Sequence, residues 1–207
     1  MARHAAIALL LTATALTGCG RGRFFSRWLG QLGHGEASVP CFDAQRCVAA
    51  RGGVVRRDDG RLVVTWVGHA TALVQMDDRF ILTDPVFTSS VGQLSRRLVA
   101  PGLSPKQVPP VDAVLISHMH FDHLSLGSLE QLEPKVRRLF VAPGGLVYLT
   151  NFAFDARELA PWQTMDFGGL RVTAVPNQHN GWRYGVDAAW MAAYTAYVVE
   201  YRGLTVY

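Results

Sequence analysis

His118-Met119-His120-Phe121-Asp122-His123 is the stretch on which the reading of this chain turns. It puts three imidazoles and a carboxylate within one short segment. Just before it runs Val111-Asp112-Ala113-Val114-Leu115-Ile116-Ser117, whose apolar centre predicts a strand buried on both faces. Just after it, Leu124, Leu129 and Leu132 fall at helical spacing. The cluster therefore lies on the loop that leaves a buried strand for a helix, a favoured place for ligand sites in layered α/β proteins. His118 and His120 are two apart and project to the same side of an extended segment. Asp122 and His123 come after the bend and face a second point. Neutral imidazole and carboxylate are ligands for Zn²⁺ and similar divalent ions. We read the stretch as a metal site rather than a histidine-rich surface loop.

Working outward, the chain predicts strands over 62–67, 72–76 and 80–83, with a turn at Asp77-Asp78. Residues 85–110 are punctuated by five prolines and read as a long irregular, functional segment. Then come the strand 111–117, a helix over 124–132, a strand over 138–142 and a helix opening near Gly144-Gly145. Further strands fit 157–159, 164–167, 170–175, 194–201 and 204–207. Strand pairs, a strand–helix–strand unit and strands again describe layered α/β. The strand ending at Val175-Pro176 delivers Asn177-Gln178-His179, because proline stops the pairing. A catalytic zinc commonly keeps three protein ligands and an open position, which makes His179 the candidate third imidazole.

The front end reads differently. Met1-Ala2-Arg3-His4 is a basic start, and the apolar run 5–17 is too short to span a bilayer comfortably. It closes in Leu16-Thr17-Gly18-Cys19, which resembles a bacterial lipobox. We therefore expect a signal peptide over 1–18, a lipidated Cys19, and a tether and entry segment over 19–60 before the domain of 61–207. That resemblance implies a lipid-anchored protein of the bacterial cell envelope. Gly20, where an Asp would favour the inner membrane, points to the outer membrane facing the periplasm. Cys41 and Cys47 either form a disulfide or stay as free thiols. The formal charge of +4 is spread thinly, with Lys106 and Lys135 the only lysines, so nothing suggests a nucleic-acid partner.

Three further segments bear on identity: Trp66-Val67-Gly68-His69-Ala70-Thr71, Leu82-Thr83-Asp84-Pro85-Val86 and Val175-Pro176-Asn177-Gln178-His179. With H-x-H-x-D-H between them, they resemble the metallo-β-lactamase superfamily. Within it they are similar to the branch of N-acyl-phosphatidylethanolamine-hydrolysing phospholipase D and its lactonase-like relatives. The resemblance covers about residues 62–207. It implies an αββα sandwich with two metals on the shared edge of its sheets, zinc first, with Mn²⁺ or Fe²⁺ as substitutes. His118, His120 and His179 would hold the first metal, and Asp122 and His123 would contribute to the second. Asp84 would accept a ligand histidine's other N–H, and His69 would be a pocket residue beside the metals.

The family pattern continues past 204–207 into a G-D-T/S-G-Y-like turn, whose Asp bridges the metals, and then to a later His. Neither stands in these 207 residues. The expectation is thus an N-terminal half to two-thirds of the sandwich, with strands such as 111–117 and 170–175 left uncovered. The family also sets an aromatic directly after its third ligand, where this chain has Asn180 and Gly181 before Trp182.

The activity implied is hydrolysis of a phosphodiester, in particular a phospholipid, by attack of metal-bound hydroxide, with Asp122 orienting the nucleophile and relaying its proton. Trp182, Arg183, Tyr184 and Trp190 would form an apolar wall with one cation, suited to an amphiphilic phosphate ester. The alternatives are a lactonase or β-lactam-type hydrolase on the same metals, or a catalytically incomplete lipoprotein.

Overall fold

The computed structural model of the protein describes residues 56–92, 95–97, 99–149, 152–184, 187 and 193–207. The segment read as signal peptide and most of the tether, with Cys19, Cys41 and Cys47, lies outside the described residues, as does Trp190. Among the described residues no helix is long and apolar enough to cross a membrane.

Two hairpins open the domain. Strand β1 (Leu62–Gly68) pairs antiparallel with β2 (Thr71–Met76), and β2 with β3 (Arg79–Thr83). The second turn holds Asp77 at φ 48°, a left-handed conformation that Asp tolerates better than most side chains. A short ribbon, β4 (Ser90–Val91) with β5 (Ser95–Arg96), interrupts the irregular stretch before β6 (Ala113–Leu115). Helix α1 (Leu126–Leu132) then returns the chain to β7 (Arg138–Val141), which lies parallel to β6, and β8 (Asp155–Glu158) follows. These strands form one sheet in the order β1-β2-β3-β6-β7-β8. The strands β9 (Thr164–Phe167), β10 (Leu170–Val175), β11 (Ala196–Tyr201) and β12 (Leu204–Val206) form a second, antiparallel sheet.

The strand period of two sorts the first sheet between two cores. Val114 and Ile116 point to the helix side, where Leu82, Leu139, Leu129 and Leu132 meet them. Ala113 and Leu115 point the other way, to Ile81, Phe140, Val172 and Tyr197. Each fully buried aliphatic of this kind contributes about 1.5–3 kcal/mol. The helix begins at Leu126, later than the apolar spacing suggests, because Ser125 takes the extended cap position before it.

The expectation that strands 111–117 and 170–175 lie uncovered is not met. Residues 113–116 are at most 5% exposed, since the second sheet lies over the face that the helix leaves open. In β10 the apolar Leu170, Val172 and Ala174 face inward, and Arg171 is turned to solvent.

The sheets are also stitched at one edge. The Thr195 N–H donates to the Ser117 carbonyl at 2.8 Å, and His118 forms an isolated antiparallel bridge with Tyr194. The buried Tyr197 hydroxyl donates to the Ile116 carbonyl at 3.0 Å. That edge carries the C-terminal ends of β3, β6 and β10, and hence Asp84, the histidine cluster and His179.

Candidate metal centre

Two groups of side chains meet on this edge. The first is His118, His120 and His179, and the second is His69, Asp122 and His123; within each group the ligand atoms lie within 4.8 Å of one another. The groups adjoin, with the rings of His118 and His123 centred 4.0 Å apart.

In the first group, His118 Nε2 stands 3.0 Å from His120 Nδ1 and 3.0 Å from His179 Nε2. Its other nitrogen explains why Nε2 offers a lone pair. Asp84 can only accept, so the Ser117 hydroxyl gives its hydrogen to Asp84 Oδ2 at 2.7 Å. Ser117 Oγ must then accept the hydrogen of His118 Nδ1, at 2.9 Å. Burial pushes the His118 imidazole down to about 3, and the neighbouring rings of His123, His179 and His120 add to the effect. Burial also lowers His120. Both rings are therefore neutral at ordinary pH, the form that binds metal. Zinc held at about 2.0–2.1 Å from tetrahedral nitrogens sets them roughly 3.3 Å apart. The nitrogens at 3.0 Å fit such an ion with a small adjustment.

The second group is built around Asp122. Its Oδ2 lies 3.1 Å from His69 Nε2 and 3.7 Å from His123 Nε2. Burial would raise the Asp122 carboxyl, but the charge of His123 and the hydrogen bond of His69 outweigh it and hold the group below its ordinary value. His123 turns its Nδ1 to Asp84 Oδ2 at 2.9 Å, which leaves Nε2 toward Asp122. Its own balance is the reverse of that of His118. Burial pulls it down, and the hydrogen bond and charge of Asp84, with the charge of Asp122, raise it further.

Asp84 is held for this work. It takes φ 37°, an uncommon conformation for a non-glycine residue and a small store of strain. Both of its oxygens are engaged by Ser117, whose N–H donates to Oδ1 at 2.7 Å. The fully buried Thr71 hydroxyl donates to the Asp84 carbonyl at 2.7 Å and accepts the Val86 N–H at 3.0 Å. That contact gives the threonine of Trp66–Thr71 its purpose.

The structure thus brings His118, His120, His179, Asp122, His123, Asp84 and His69 together. His69 lies within ligand distance of the second group, nearer than a pocket residue needs to be. Sequence reasoning missed Ser117 and Thr71; their signals were position alone, directly before His118 and directly after Ala70. Trp182 reaches the site despite the two intervening residues, and its ring meets that of His120 edge-on at 4.8 Å. Tyr184 is 58% exposed beside Phe121. Arg183 departs from expectation. It is buried, and its guanidinium bonds to main-chain carbonyls under the loop, so it does not supply the cation of an open apolar wall. A cleft of about 550 Å³ lies elsewhere, around Pro110, Asp112 and Arg137, away from the histidines.

The profile of the beta-lactamase superfamily domain matches residues 79–207, well over half the chain. The chain belongs to that superfamily. An uncharacterized protein of Mycobacterium tuberculosis is 33% identical over 139 residues, covering 63% of this chain and 37% of that protein. An N-acyl-phosphatidylethanolamine-hydrolyzing phospholipase D of Caenorhabditis elegans is 31% identical over 141 residues, covering 59% of this chain and 39% of that one. The chain therefore spans less than two-fifths of the length of these superfamily relatives. Among solved structures, a putative metal-dependent hydrolase of Parabacteroides distasonis matches with TM-score 0.51 and 19% identity, over 70% of this chain and 59% of that one. CmlA, a diiron β-hydroxylase of Streptomyces venezuelae, matches with TM-score 0.52 and 21% identity, over 72% and 29%. At such identities the structures establish the metallo-β-lactamase fold alone. Within that fold, the two adjoining clusters are groups that could hold metal ions.

Proposed function

We propose that the protein acts as a dinuclear zinc hydrolase of phosphodiesters, with a phospholipid as the preferred class. The observation that carries the reading is the adjacency of a three-imidazole group and an Asp–His–His group on one sheet edge. His118, His120 and His179 hold one metal in this reading, and Asp122 and His123, with His69 in reach, hold the other. A divalent metal held by these residues would supply a nucleophile from water at neutral pH and would stabilise the charge that develops on the phosphoryl oxygens as phosphorus is attacked. Asp122, ionised and hydrogen-bonded to His69, is the group placed to orient that nucleophile and take up its proton.

The phospholipid class is supported by the exposed faces of Trp182 and Tyr184 beside His120 and Phe121, and by the likeness to the phospholipase D of Caenorhabditis elegans. An envelope location, through lipid on Cys19, would put the site next to such a substrate; incorporation of labelled palmitate that is lost in Cys19→Ala tests it. Zinc is preferred over Mn²⁺ or Fe²⁺ for a site of imidazoles and carboxylate.

The test is elemental analysis of the purified protein, then assay of the zinc-loaded form on phosphodiester, phospholipid, lactone and β-lactam panels. About two zinc ions and phosphodiester turnover are expected. Turnover confined to lactones or β-lactams would overturn the substrate class, and a protein that retains no metal would overturn the whole reading.

A further inference from the structure

Arg183 belongs to the segment that follows His179, yet its side chain ends beneath another part of the chain. The residue is only 4% exposed. Its Nη1 donates to the Met119 carbonyl at 3.0 Å and to the Leu124 carbonyl at 2.9 Å. Those carbonyls bracket residues 120–123, which carry His120 of the first group and Asp122 and His123 of the second. Between them, the guanidinium carbon stands 4.1 Å from the centre of the Phe121 ring.

The root of the residue is fixed as firmly as its head. The Arg183 N–H donates to Asp187 Oδ2 and the Tyr184 N–H to Asp187 Oδ1, each at 2.9 Å. The Tyr148 hydroxyl donates to the same carboxylate. Gly181, two residues back, lies flat on the backbone of Ala193, where an added Cβ would come within 2.5 Å.

A guanidinium taken out of water is unfavourable unless its donors are used, and here Nε has no hydrogen-bond partner. The arrangement makes sense as a geometric device. A planar cation can bond to two carbonyls at its edge and stack on an aromatic ring with its face, which a lysine cannot do. His179 itself sits in an exposed stretch, 176–180, with little packing of its own.

We infer that Arg183 is a positioning residue that couples the placement of His179 to the His118–His123 loop, so that both ligand groups are presented as one preorganised unit. The inference rests on the metal-centre reading for its consequence, but the coupling can be read without metal.

The experiment compares Arg183→Met and Arg183→Lys with the unmodified chain. In the metal-free proteins, amide exchange is followed at 119–124 and in strands β6 and β7. In zinc-loaded proteins, affinity is measured by competition with a chromophoric chelator, and the Co²⁺ visible spectrum reports ligand geometry. Arg183→Met should speed exchange at 119–124 while β6 and β7 keep their protection. It should also weaken zinc by about 10–100-fold, as loss of outer partners typically does, and alter the Co²⁺ bands. Arg183→Lys, which keeps donors for the carbonyls, should recover part of each loss. Unchanged exchange and unchanged affinity in Arg183→Met would overturn the inference. So would faster exchange throughout β6 and β7, which would mean general stability rather than positioning. If the unmodified chain binds no zinc while Arg183→Met still loosens 119–124, the coupling stands and the metal-centre reading fails.

Discussion

Asp84 Oδ2 accepts the Nδ1 hydrogen of His123 at 2.9 Å, and the same oxygen accepts the Ser117 hydroxyl at 2.7 Å. Ser117 in turn accepts from His118 Nδ1 at 2.9 Å. One carboxylate thus fixes a ring in each ligand group, one directly and one through a hydroxyl. Asp84→Asn keeps the shape but replaces an acceptor-only group. We expect it to weaken both metals by about 10–100-fold, and Ser117→Ala to weaken chiefly the metal at His118. Stepwise chelator competition measures this. Equal loss at both sites in Ser117→Ala would break the assignment of the relay.

The first metal should depend on the facing nitrogens of His118 and His120. The double replacement His118→Ala, His120→Ala should lower bound zinc from about two ions to about one and abolish hydrolysis. Metal content equal to that of the unmodified protein, by elemental analysis, would show that these rings do not hold the ion.

Metal-free stability should bend with pH in opposite senses for two neighbouring rings. His118 in the folded protein titrates near 3, below its ordinary value of 6.5. Its contribution is therefore present above 6.5 and is lost as pH falls from there toward 3, at up to roughly 1.4 kcal/mol per pH unit. His123 is raised above 6.5, so its contribution is complete below that value and is lost as pH rises through the folded value. Urea melts in chelator across this range should show a shallower acid limb in His118→Asn and a shallower alkaline limb in His123→Asn. Parallel curves for all three proteins would contradict both assignments.

Thr71→Val should be destabilising although valine fits the space. It strands the Asp84 carbonyl and the Val86 N–H, both now paired with a fully buried hydroxyl. The cost is about 1–3 kcal/mol, read as a lower urea midpoint at unchanged slope, with Thr71→Ser recovering most of it. A midpoint shift for Thr71→Val within error would mean that the turn finds other partners.

How much of this was legible in the chain follows from what is local. The gathering of His118, His120, Asp122 and His123 at one strand end was legible because residue type and alternation along the chain determine it. The third imidazole, His179, was legible because proline marks a strand end. Strand pairing is not local, and it alone decides that the second sheet covers β6, so the uncovered strand expected there is a buried one. Arg183 was misread for a related reason. An arginine among Trp182, Tyr184 and Trp190 looks like part of a wall, and only the folded path shows its head under the Met119 and Leu124 carbonyls. The boundary of α1 shifted because a serine beside a leucine can either extend a helix or cap it.

His118 and His179 meet across 61 residues of chain, and His69 and Asp122 across 53. Neither group can assemble in a local fragment; each waits until distant segments have closed, with the loop entropy already spent. Ligands gathered so late make ion binding a part of the folding free energy. The supply of metal would then govern how long the chain survives proteolysis in the cell, quite apart from whether it turns over a substrate.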